Sequence, residues 1–460
     1  MTSNNPIRLP EIRQYIVVYL NLPDIISCLL VNKSWYGYFI PLVWENVVVP
    51  YRHPVKSRCG PTPECLYRHR KFVFSLRLET LNPIMFVFSF PNLQALYYRM
   101  DPTPFINLNP LLTELELVDY CNGASENWAC WKPILELTNL RKLILGPNTV
   151  PADSVDDFWR VCANLETLSV LRVNVAKSTV FENMTFPRMR DLYLDAMLYF
   201  TEASPIDLIK KCPRLKSLRC NFTPNDIARH TSVRARPNPL ELGLNGNLKD
   251  DDAALILQGM NQAINLDLCG SGFGPLAFGA LGSHFNSLVV LDLLRCESLT
   301  SIMARDILCS CPRLLSFQAD YIKANDIADG GPWICLSLRR LTLYIEFLKT
   351  ERDLQPLVFE RLSQLVHLQI LCTGAFIIQS GNTYGLDIRL SQGLHFLESL
   401  KELECLNVGT TVQSIGEAEV NWIAVNWRSL KFFYGEKNTI DRDTDMHIRK
   451  LLREHGINVC

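Results

Sequence analysis

One short pattern of apolar residues recurs along most of this chain and constrains its fold more than any other feature. The pattern reads apolar-x-x-apolar-x-apolar, and clear copies begin at Leu140, Leu165, Leu215, Leu288, Leu338 and Leu365. With the middle apolar residue as the marker, the full series is Leu76, Leu96, Leu115, Leu143, Leu168, Leu192, Leu218, Leu242, Leu266, Leu291, Phe317, Leu341, Leu368, Leu403 and Phe433. From Leu143 to Leu341, successive markers are 25, 24, 26, 24, 24, 25, 26 and 24 residues apart by subtraction. Eight nearly equal steps in a row indicate a repeat architecture.

The spacing inside each copy indicates a strand that must stack on its neighbours. The last two apolar residues are separated by one residue, so both point to the same face of a strand. A single strand cannot bury that face alone, but a parallel stack of repeats buries it continuously. The period is about that of leucine-rich repeats. The sequence therefore predicts an α/β fold: a right-handed leucine-rich-repeat solenoid with a parallel β-sheet on its concave face and helices on its convex face.

The repeat assignment has one alternative, and it leaves one strand register open. An ordinary α/β domain also has strand–helix units, but such domains do not keep one period for so many steps. At Leu242 and Leu266 the first apolar residue of the copy comes one position late, which leaves the strand register there open.

Composition limits the classes of partner and the compartment. The chain has 460 residues, with 46 Lys plus Arg against 47 Asp plus Glu, so the net charge of −1 does not predict nucleic-acid or membrane binding. Of its 16 cysteines, Cys162, Cys212 and Cys311 each precede a repeat leucine by three residues, as small buried hydrophobic residues would. We read them as reduced thiols. Without a signal peptide or an apolar run of membrane-spanning length, we expect the cytoplasm or the nucleus.

Residues 7–45 lack the repeat pattern and read as three short helices. Pro10 suits the first turn of a helix, and Ile12, Ile16 and Leu20 recur every four residues along it. Asp24 is a candidate cap for a second helix. About forty residues cannot bury enough surface to be comfortably stable alone, so this segment needs a partner surface.

An ordered set of residues in this segment resembles the F-box motif. The matching positions are Leu9-Pro10, Ile12, Leu20, Asp24, Val31, Lys33-Ser34-Trp35 and Trp44. Followed by leucine-rich repeats, the whole chain is similar to F-box/leucine-rich-repeat proteins, notably fungal ones with cysteine-containing repeats. The resemblance implies that the F-box docks on the Skp-type adaptor of a cullin–RING ubiquitin ligase while the repeats hold a protein substrate. The alternative is a helical cap that only seals the first repeat.

The resemblance also implies residues for adaptor contact and a domain layout. The adaptor-contact candidates are Leu9, Pro10, Ile12, Ile16, Leu20, Leu22, Leu29, Val31 and Trp35. Some of these must form the core of the F-box itself, and sequence does not separate the two sets. We expect the F-box at 7–45, a linker at 46–71 and the solenoid at 72–460, closed by a capping helix at about 440–455. The step of 35 residues from Leu368 to Leu403 predicts a loop inserted at 373–392.

The predicted linker allows two interpretations. It is rich in Arg, Lys and His, which suits a solvated basic segment. His53, Cys59, Cys65 and His69 could also form a zinc set, but five residues separate the two cysteines and structural zinc pairs are closer. Elsewhere we find no phosphate-binding glycine loop, no metal-spaced His/Glu helix and no nucleophile elbow. We therefore expect no catalytic, cofactor or metal-binding residue.

The strand pattern also predicts which side chains line the concave face. The acids at these positions are Glu79, Glu114, Glu116, Asp191, Asp195, Glu241, Asp267, Asp292, Asp320, Glu402, Glu404 and Glu436, and the bases are Arg77, Arg99, Lys142, Arg219 and Arg340. The substrate-binding candidates are Glu116, Tyr193, Asp195, Asp267, Asp292, Asp320, Tyr344, Glu404 and Tyr434. Excess acid favours a protein substrate with a basic segment, steered by charge; the alternative is a solvated face without a partner.

Taken together, these features predict a non-catalytic substrate-recognition subunit of an SCF-type E3 ligase, which presents its substrate for ubiquitination and proteasomal degradation. The alternative is a leucine-rich-repeat scaffold or inhibitor that acts outside a ligase.

Overall fold

The computed structural model describes residues 10–49, 61–79, 87–98, 102–117, 131–171, 173–175, 178–195, 205–220, 240–244, 248–374, 383–409, 413–435 and 442–459. Contacts divide the chain into two compact units, unit 1 (Met1–Arg214) and unit 2 (Leu215–Cys460). No helix in these ranges is long and apolar enough to cross a membrane.

Unit 1 alternates short strands with short helices. Its helices are α1 (Pro10–Val17), α2 (Leu22–Leu29), α3 (Lys33–Trp44), α4 (Pro63–His69), α5 (Thr103–Ile106), α6 (Trp131–Leu135), α7 (Val155–Cys162), α8 (Thr179–Asn183) and α9 (Pro205–Lys210). Its strands are β1 (Asn46–Val49), β2 (Ser75–Leu78), β3 (Ala95–Tyr98), β4 (Glu114–Leu117), β5 (Lys142–Leu145), β6 (Asn148–Thr149), β7 (Thr167–Leu171), β8 (Val173–Asn174) and β9 (Asp191–Asp195). Two 3-10 turns lie at Arg70–Phe72 and Ala152–Ser154.

The repeat leucines of unit 1 lie side by side in a parallel ladder. Strands β1, β2, β3, β4, β5, β7 and β9 pair in that order, and β6 pairs separately with β8. Leu115 lies opposite Leu143, Leu143 opposite Leu168, and Leu168 opposite Leu192. These leucines are at most 1% exposed, and each buried leucine stabilises the fold by roughly 1.5–3 kcal/mol. The predicted repeat register is confirmed here.

Unit 2 continues the same kind of repeat with longer helices. Its helices are α10 (Asp250–Gly259), α11 (Pro275–Leu281), α12 (Ser301–Ser310), α13 (Ala324–Asp329), α14 (Gln355–Ser363), α15 (Glu417–Asn426) and α16 (Arg442–Glu454). Its strands are β10 (Ser217–Cys220), β11 (Glu241–Leu244), β12 (Asn265–Asp267), β13 (Val290–Leu293), β14 (Ser316–Lys323), β15 (Arg340–Leu348), β16 (Ile370–Cys372), β17 (Thr383–Tyr384), β18 (Cys405–Asn407), β19 (Phe432–Tyr434) and β20 (Asn458–Val459). The 3-10 segments are Gly282–His284, Arg352–Leu354, Leu390–Gln392 and Leu394–Ser399.

Most of the predicted register also holds in unit 2, where β10 to β16, β18, β19 and β20 form one parallel series. Leu242 lies opposite Leu266, which settles the register that the late first anchors had left open. Leu266 then lies opposite Leu291. The leucine-rich-repeat architecture, with parallel strands and returning helices, is thus present in each unit.

Two predicted markers are wrong by three residues. Leu371 lies opposite Leu341 in place of Leu368, and Leu406 then lies opposite Leu371 in place of Leu403. The physical reason is that both stretches carry leucines three residues apart, so two frames of the motif fit equally well. The neighbouring strand selects the frame, because only one frame aligns the buried residues of the ladder.

The predicted linker at 46–71 is also wrong in part. Strand β1 occupies Asn46–Val49 and pairs with β2, which places Val47 opposite Leu76. Helix α4 follows at Pro63–His69, begins at the cap Thr62, and buries Leu66 completely. The sequence Asn46–Val49 lacks the leucines of the motif, so its membership of the ladder was not apparent.

The described half of the predicted loop at 373–392 is held to the repeats. Strand β17 pairs antiparallel with the end of β15. Buried Gln355 and Gln413 accept hydrogen bonds from the backbone N–H groups of Asp387 and Ile388 at 3.0 and 3.1 Å. This part of the insertion therefore has fixed backbone partners, whereas residues 375–382 lie outside the described ranges.

The C-terminal end has the elements that the sequence predicted. Helix α16 covers most of the predicted capping segment at 440–455, and β20 adds a last parallel strand beside β19. Leu452 and Ile448 of α16 are buried, so the helix covers the core of the last repeat.

The repeat cysteines are buried free thiols, as their positions indicated. Cys162, Cys212 and Cys311 are not exposed at all and form no disulfide. Burial raises the pKa of Cys212 and of Cys311 to about 12, so both thiols are neutral at physiological pH.

Candidate functional site

Two surfaces are candidates for function: the N-terminal helices of unit 1, and the faces formed by the outward strand side chains of each unit. Helices α2 and α3 each begin at an asparagine cap. The Asn21 side chain accepts the N–H of Asp24 at 3.0 Å, and the Asp24 carboxylate accepts the N–H of Asn21 at 3.3 Å. Asp24 therefore belongs to a capping box and is not itself the cap that the sequence suggested. Asn32 caps α3 in a similar way, accepting the N–H groups of Ser34 and Trp35.

Burial within these helices rises along the chain. Helix α3 buries Phe39 and Ile40 as it packs against β1 and the 3-10 turn at Arg70–Phe72. Its last residue, Trp44, stacks on the His69 ring with 4.7 Å between ring centroids and 22° between planes. Burial, with Arg68 and Lys71 nearby, lowers the pKa of His69. The segment is therefore anchored through α3, whereas α2 has no buried residue.

A set of large apolar side chains remains exposed on α1–α3 and their connections. This apolar helix surface comprises Tyr15, Val18, Tyr19, Leu22, Ile26, Leu30, Val31 and Tyr36, with exposures from 44% to 86%. Such a concentration of apolar surface is typical of an interaction site.

The structure separates the predicted adaptor-contact residues into two groups. Leu22 and Val31 are 55% and 57% exposed and belong to the apolar helix surface. Ile12, Ile16, Leu20, Leu29 and Trp35 are half-buried. Leu9 lies outside the described residues; Pro10 begins α1, but its side chain is not described.

Sequence reasoning missed Tyr15, Val18, Tyr19, Ile26, Leu30 and Tyr36 of the apolar helix surface. The helical period showed that these segments were amphipathic, but it did not show which apolar residues the neighbouring helices would cover. The exposed pair Tyr15 and Tyr19, with ring centroids 5.9 Å apart, lies at the four-residue spacing that could have drawn attention to it.

On the strand face of unit 1, several charged side chains already have partners. Lys142 donates to the Glu114 carboxylate at 3.0 Å, a hydrogen bond that raises the pKa of Lys142. Asp191 accepts the Thr167 hydroxyl at 3.1 Å. Glu116 and Tyr193 are half-buried at the predicted outward positions. The side chain of Asp195 is not described, and Arg99 and Glu436 lie outside the described ranges.

The strand face of unit 2 brings together three of the predicted aspartates. Asp267 and Asp292 lie opposite each other on β12 and β13. Asp320 follows on β14 as the extra residue of a β-bulge between Ala319 and Tyr321. Burial raises the pKa of Asp292, and the charges of Asp267 and Asp320 add to that effect.

The same aspartates also shape the backbone where their strands end. Asp267 accepts the N–H of Cys269 at 3.3 Å, and Asp292 accepts the N–H of Leu294 at 3.0 Å. Each carboxylate thus forms a local turn of the kind that aspartate favours. Asp320 accepts the N–H of Arg295 at 3.0 Å, and Arg295 adopts a left-handed φ of 58°. These local bonds fix the positions of the carboxylates, and Gln318 donates to the second oxygen of Asp292 at 2.9 Å.

Two of the predicted substrate-binding residues do not occupy the outward strand positions that the sequence predicted. Tyr344 is only 6% exposed, because β15 is covered on both faces here and every residue from Leu341 to Ile345 is buried. Glu404 precedes β18, since the true strand is Cys405–Asn407, and it pairs with Lys431 at 2.9 Å. Glu402 is displaced in the same way and contacts His367 at 3.0 Å.

Tyr434 keeps its predicted outward position. It is half-buried and stacks on Phe432, with 6.1 Å between ring centroids and 17° between planes. Phe432, which the sequence reasoning did not select, is 39% exposed on the same face.

Among the described residues, no group of three or more His, Cys, Asp or Glu side chains could hold a metal ion. Of the alternative zinc set, His53 and Cys59 lie outside the described ranges. His69 instead stacks on Trp44.

Comparisons with known proteins add little to this picture. No family profile and no curated protein matches the chain. Among 144 matching solved chains is the crystal structure of a complex of TLR13 with ssRNA13, which is 14% identical with a TM-score of 0.32. The match covers 85% of this chain and 51% of that chain, so this chain spans about half the length of that protein. A likeness at this TM-score carries no argument about function.

Proposed function

We propose that this chain is a non-catalytic substrate-recognition subunit of an SCF-type cullin–RING ubiquitin ligase. The N-terminal helices bind a Skp-type adaptor, and the repeats bind a protein substrate that is then ubiquitinated and degraded by the proteasome. The chain acts in the cytoplasm or the nucleus. Its contribution is a raised local concentration of substrate near the ubiquitin-conjugating enzyme.

The observation that carries the proposal is the apolar helix surface. Exposed Leu22, Leu30 and Val31 lie on or next to α2, which has no buried residue of its own. Burying one such side chain against a partner would stabilise the complex by roughly 1.5–3 kcal/mol. A helical cap that only sealed the first repeat would need the buried face of α3 alone.

The resemblance to the F-box motif directs this surface to a particular partner. Phe39 and Trp44 follow the motif's Lys33-Ser34-Trp35 in the chain, and they hold the segment to the rest of unit 1. Helices α1 and α2 carry Ile12 and Asp24 of the motif, and they also keep Tyr15, Leu22 and Ile26 exposed. This arrangement suits a small helical module that is fixed at one end and binds another chain at the other.

The test is co-purification of the full chain with a Skp-type adaptor and cullin. Leu22→Ser with Val31→Ser should reduce adaptor retention at least tenfold, because it removes two apolar contacts from an exposed surface. The matched control is Val87→Ser with Leu111→Ser, which changes residues that are 71% and 51% exposed elsewhere in unit 1. Circular dichroism should show the same helix content for both variants.

Two results would contradict the proposal in different ways. Equal retention of the adaptor by both double variants would show that the apolar helix surface is not the adaptor site. Adaptor binding that never recruits cullin would instead favour the alternative, a repeat scaffold or inhibitor that acts outside a ligase.

A further inference from the structure

The strand face of unit 2 has two chemically different parts. The acidic part lies on β11 to β14 and comprises Glu241, Asp267, Asp292 and Asp320. The apolar part lies on β16, β18 and β19 and comprises Ile370, Cys372, Cys405, Phe432 and Tyr434. All of these positions alternate with buried residues of the same ladder, so their side chains point outward.

The aspartates of the acidic part form no side-chain ion pair among the described residues, although the charge of Arg295 acts on Cys269 together with theirs. Within the described ranges, no Lys, Arg or His side-chain nitrogen lies within 4.0 Å of the Asp267, Asp292 or Asp320 carboxylates, whereas Glu114 in unit 1 is paired with Lys142. Gln318 donates to Asp292 at 2.9 Å, and the other bonds come from the backbone. Three carboxylates on adjacent strands repel one another, and a bound cationic side chain would relieve that repulsion.

Arginine side chains lie on both sides of the acidic part along the ladder. Arg340 is exposed on β15, between the acidic and the apolar parts. On the other side, the Arg219 side chain lies across Gly243, where an added Cβ would be 2.7 Å from the Arg219 Cγ. The negative region is therefore narrow, which suits one or two basic side chains better than a broad basic surface.

The apolar part offers a compact contact for a nonpolar side chain. Ile370, Cys405 and Phe432 lie in one row across three paired strands. The Phe432 ring is exposed over more than a third of its surface and is supported by Tyr434. Exposed aromatic side chains held in place by stacking are common anchors in protein interfaces.

The ladder sets the distance between the two parts. Five strand-to-strand steps separate Asp292 on β13 from Phe432 on β19. At about 4.8 Å per step the separation is roughly 24 Å, and an extended chain that rises about 3.3 Å per residue crosses it in about seven residues.

We propose that the unit 2 strand face binds an extended protein segment in which one or two Arg or Lys residues stand about seven residues from an aliphatic or aromatic residue. The basic residues lie among Asp267, Asp292 and Asp320, and the apolar residue lies on Phe432. The inference deepens the proposed function, because it names the kind of segment by which the repeats recognise a substrate.

In the experiment, peptides that bind the immobilised full chain are selected from a random library of displayed 16-residue peptides. Enriched peptides should carry the basic and apolar groups at the stated separation, and synthetic copies should bind more weakly as salt concentration rises. A Phe432→Ser variant should weaken their Kd at least tenfold, as should Asp267→Lys with Asp292→Lys. Asp267→Asn with Asp292→Asn, which preserves side-chain size, guards against loss of folding and should also weaken binding.

The matched control is Asp329→Lys with Glu360→Lys, which makes the same change in charge at exposed helix positions of unit 2. It should leave the Kd within a factor of two. The inference is overturned if no peptide is enriched, if enriched peptides have no basic residue, or if they bind both lysine variants equally. If only basic peptides were enriched and Phe432→Ser left their Kd unchanged, the two-part site would be overturned.

This outcome is independent of the adaptor. Leu22→Ser with Val31→Ser should bind the selected peptides normally, since the apolar helix surface belongs to unit 1. Failure of peptide selection together with normal adaptor binding would refute the inference alone, and the reverse result would refute the proposed adaptor role alone.

Discussion

The Asp250 carboxylate links two successive repeats of unit 2 and lends itself to a quantitative test. Asp250 is the first residue of α10, yet its oxygens accept the N–H groups of Gly274, Leu276 and Ala277 at 2.9, 3.0 and 2.8 Å. These groups start α11, whose own cap residue, Gly274, has no side chain to accept them. The positive end of the α11 dipole also stabilises a carboxylate at this place.

The expected cost of Asp250→Ala follows from these three bonds. A single capping side chain contributes typically about 1 kcal/mol, and hydrogen bonds to a charged group contribute about 1.5–3 kcal/mol. Water can replace the bond at exposed Leu276, so we expect a loss of about 2 kcal/mol rather than the full sum. Asp250→Asn keeps the shape but accepts through one oxygen only, and it should lose about 1 kcal/mol.

The assay is hydrogen exchange of the α11 amides, combined with urea unfolding. A repeat array can open locally, so exchange at Gly274 and Ala277 reports the cap more directly than a global midpoint. A loss of about 2 kcal/mol corresponds to roughly thirtyfold faster exchange. The control, Asp251→Ala, changes the exposed neighbour and should alter exchange less than threefold. Equal effects of Asp250→Ala and Asp251→Ala would refute the capping argument.

Three further predictions concern other sites. Gly274→Ala should cost about 1–3 kcal/mol of unfolding free energy, because its Cβ would stand 2.9 Å from a carboxylate oxygen. Gly279→Ala, in the helix that Gly274 caps, should instead stabilise the protein by up to about 1 kcal/mol, because its Cβ would meet no atom within 4 Å. The raised pKa of Asp292 means that its ionised form destabilises the native state at neutral pH. Asp292→Asn should therefore raise the urea midpoint at pH 7, and the gain should shrink as pH falls through the raised native pKa towards the ordinary 3.8; a gain that is constant with pH would contradict this. Native protein at pH 8 should be alkylated by iodoacetamide at exposed Cys65 but not at Cys311, whose pKa of about 12 and burial protect it, as peptide mass spectrometry would show.

The apolar helix surface and the strand face of unit 2 show where sequence reasoning succeeds and where it stops. The helical spacing of Ile12, Ile16 and Leu20 predicted an amphipathic first helix; the structure has a helix over Pro10–Val17, which ends before Leu20. It did not predict that these residues would be half-buried while Tyr15 and Tyr19 remained exposed. Exposure depends on how α2 and α3 pack, and no local spacing contains that information.

The strand register shows a similar limit. Asp267 and Asp292 lie opposite each other on β12 and β13, although the late first apolar residue of the copy at Leu266 had left the register of that strand open. Glu404 was misplaced because Leu400, Leu403 and Leu406 are equally spaced, and the alignment with Leu371 on the adjacent strand made the choice.

The sequence by itself determined the repeat, the parallel stacking of its strands and the burial of its leucines, because a period of about 25 residues and a one-residue alternation leave few other ways to bury those side chains. Only the tertiary structure decided which polar and aromatic residues are exposed. The bulge at Asp320, the burial of Tyr344 and the exposure of Phe432 arise from contacts between strands that lie far apart in sequence. Side-chain exposure is a property of those contacts, whereas periodicity is a property of the chain alone.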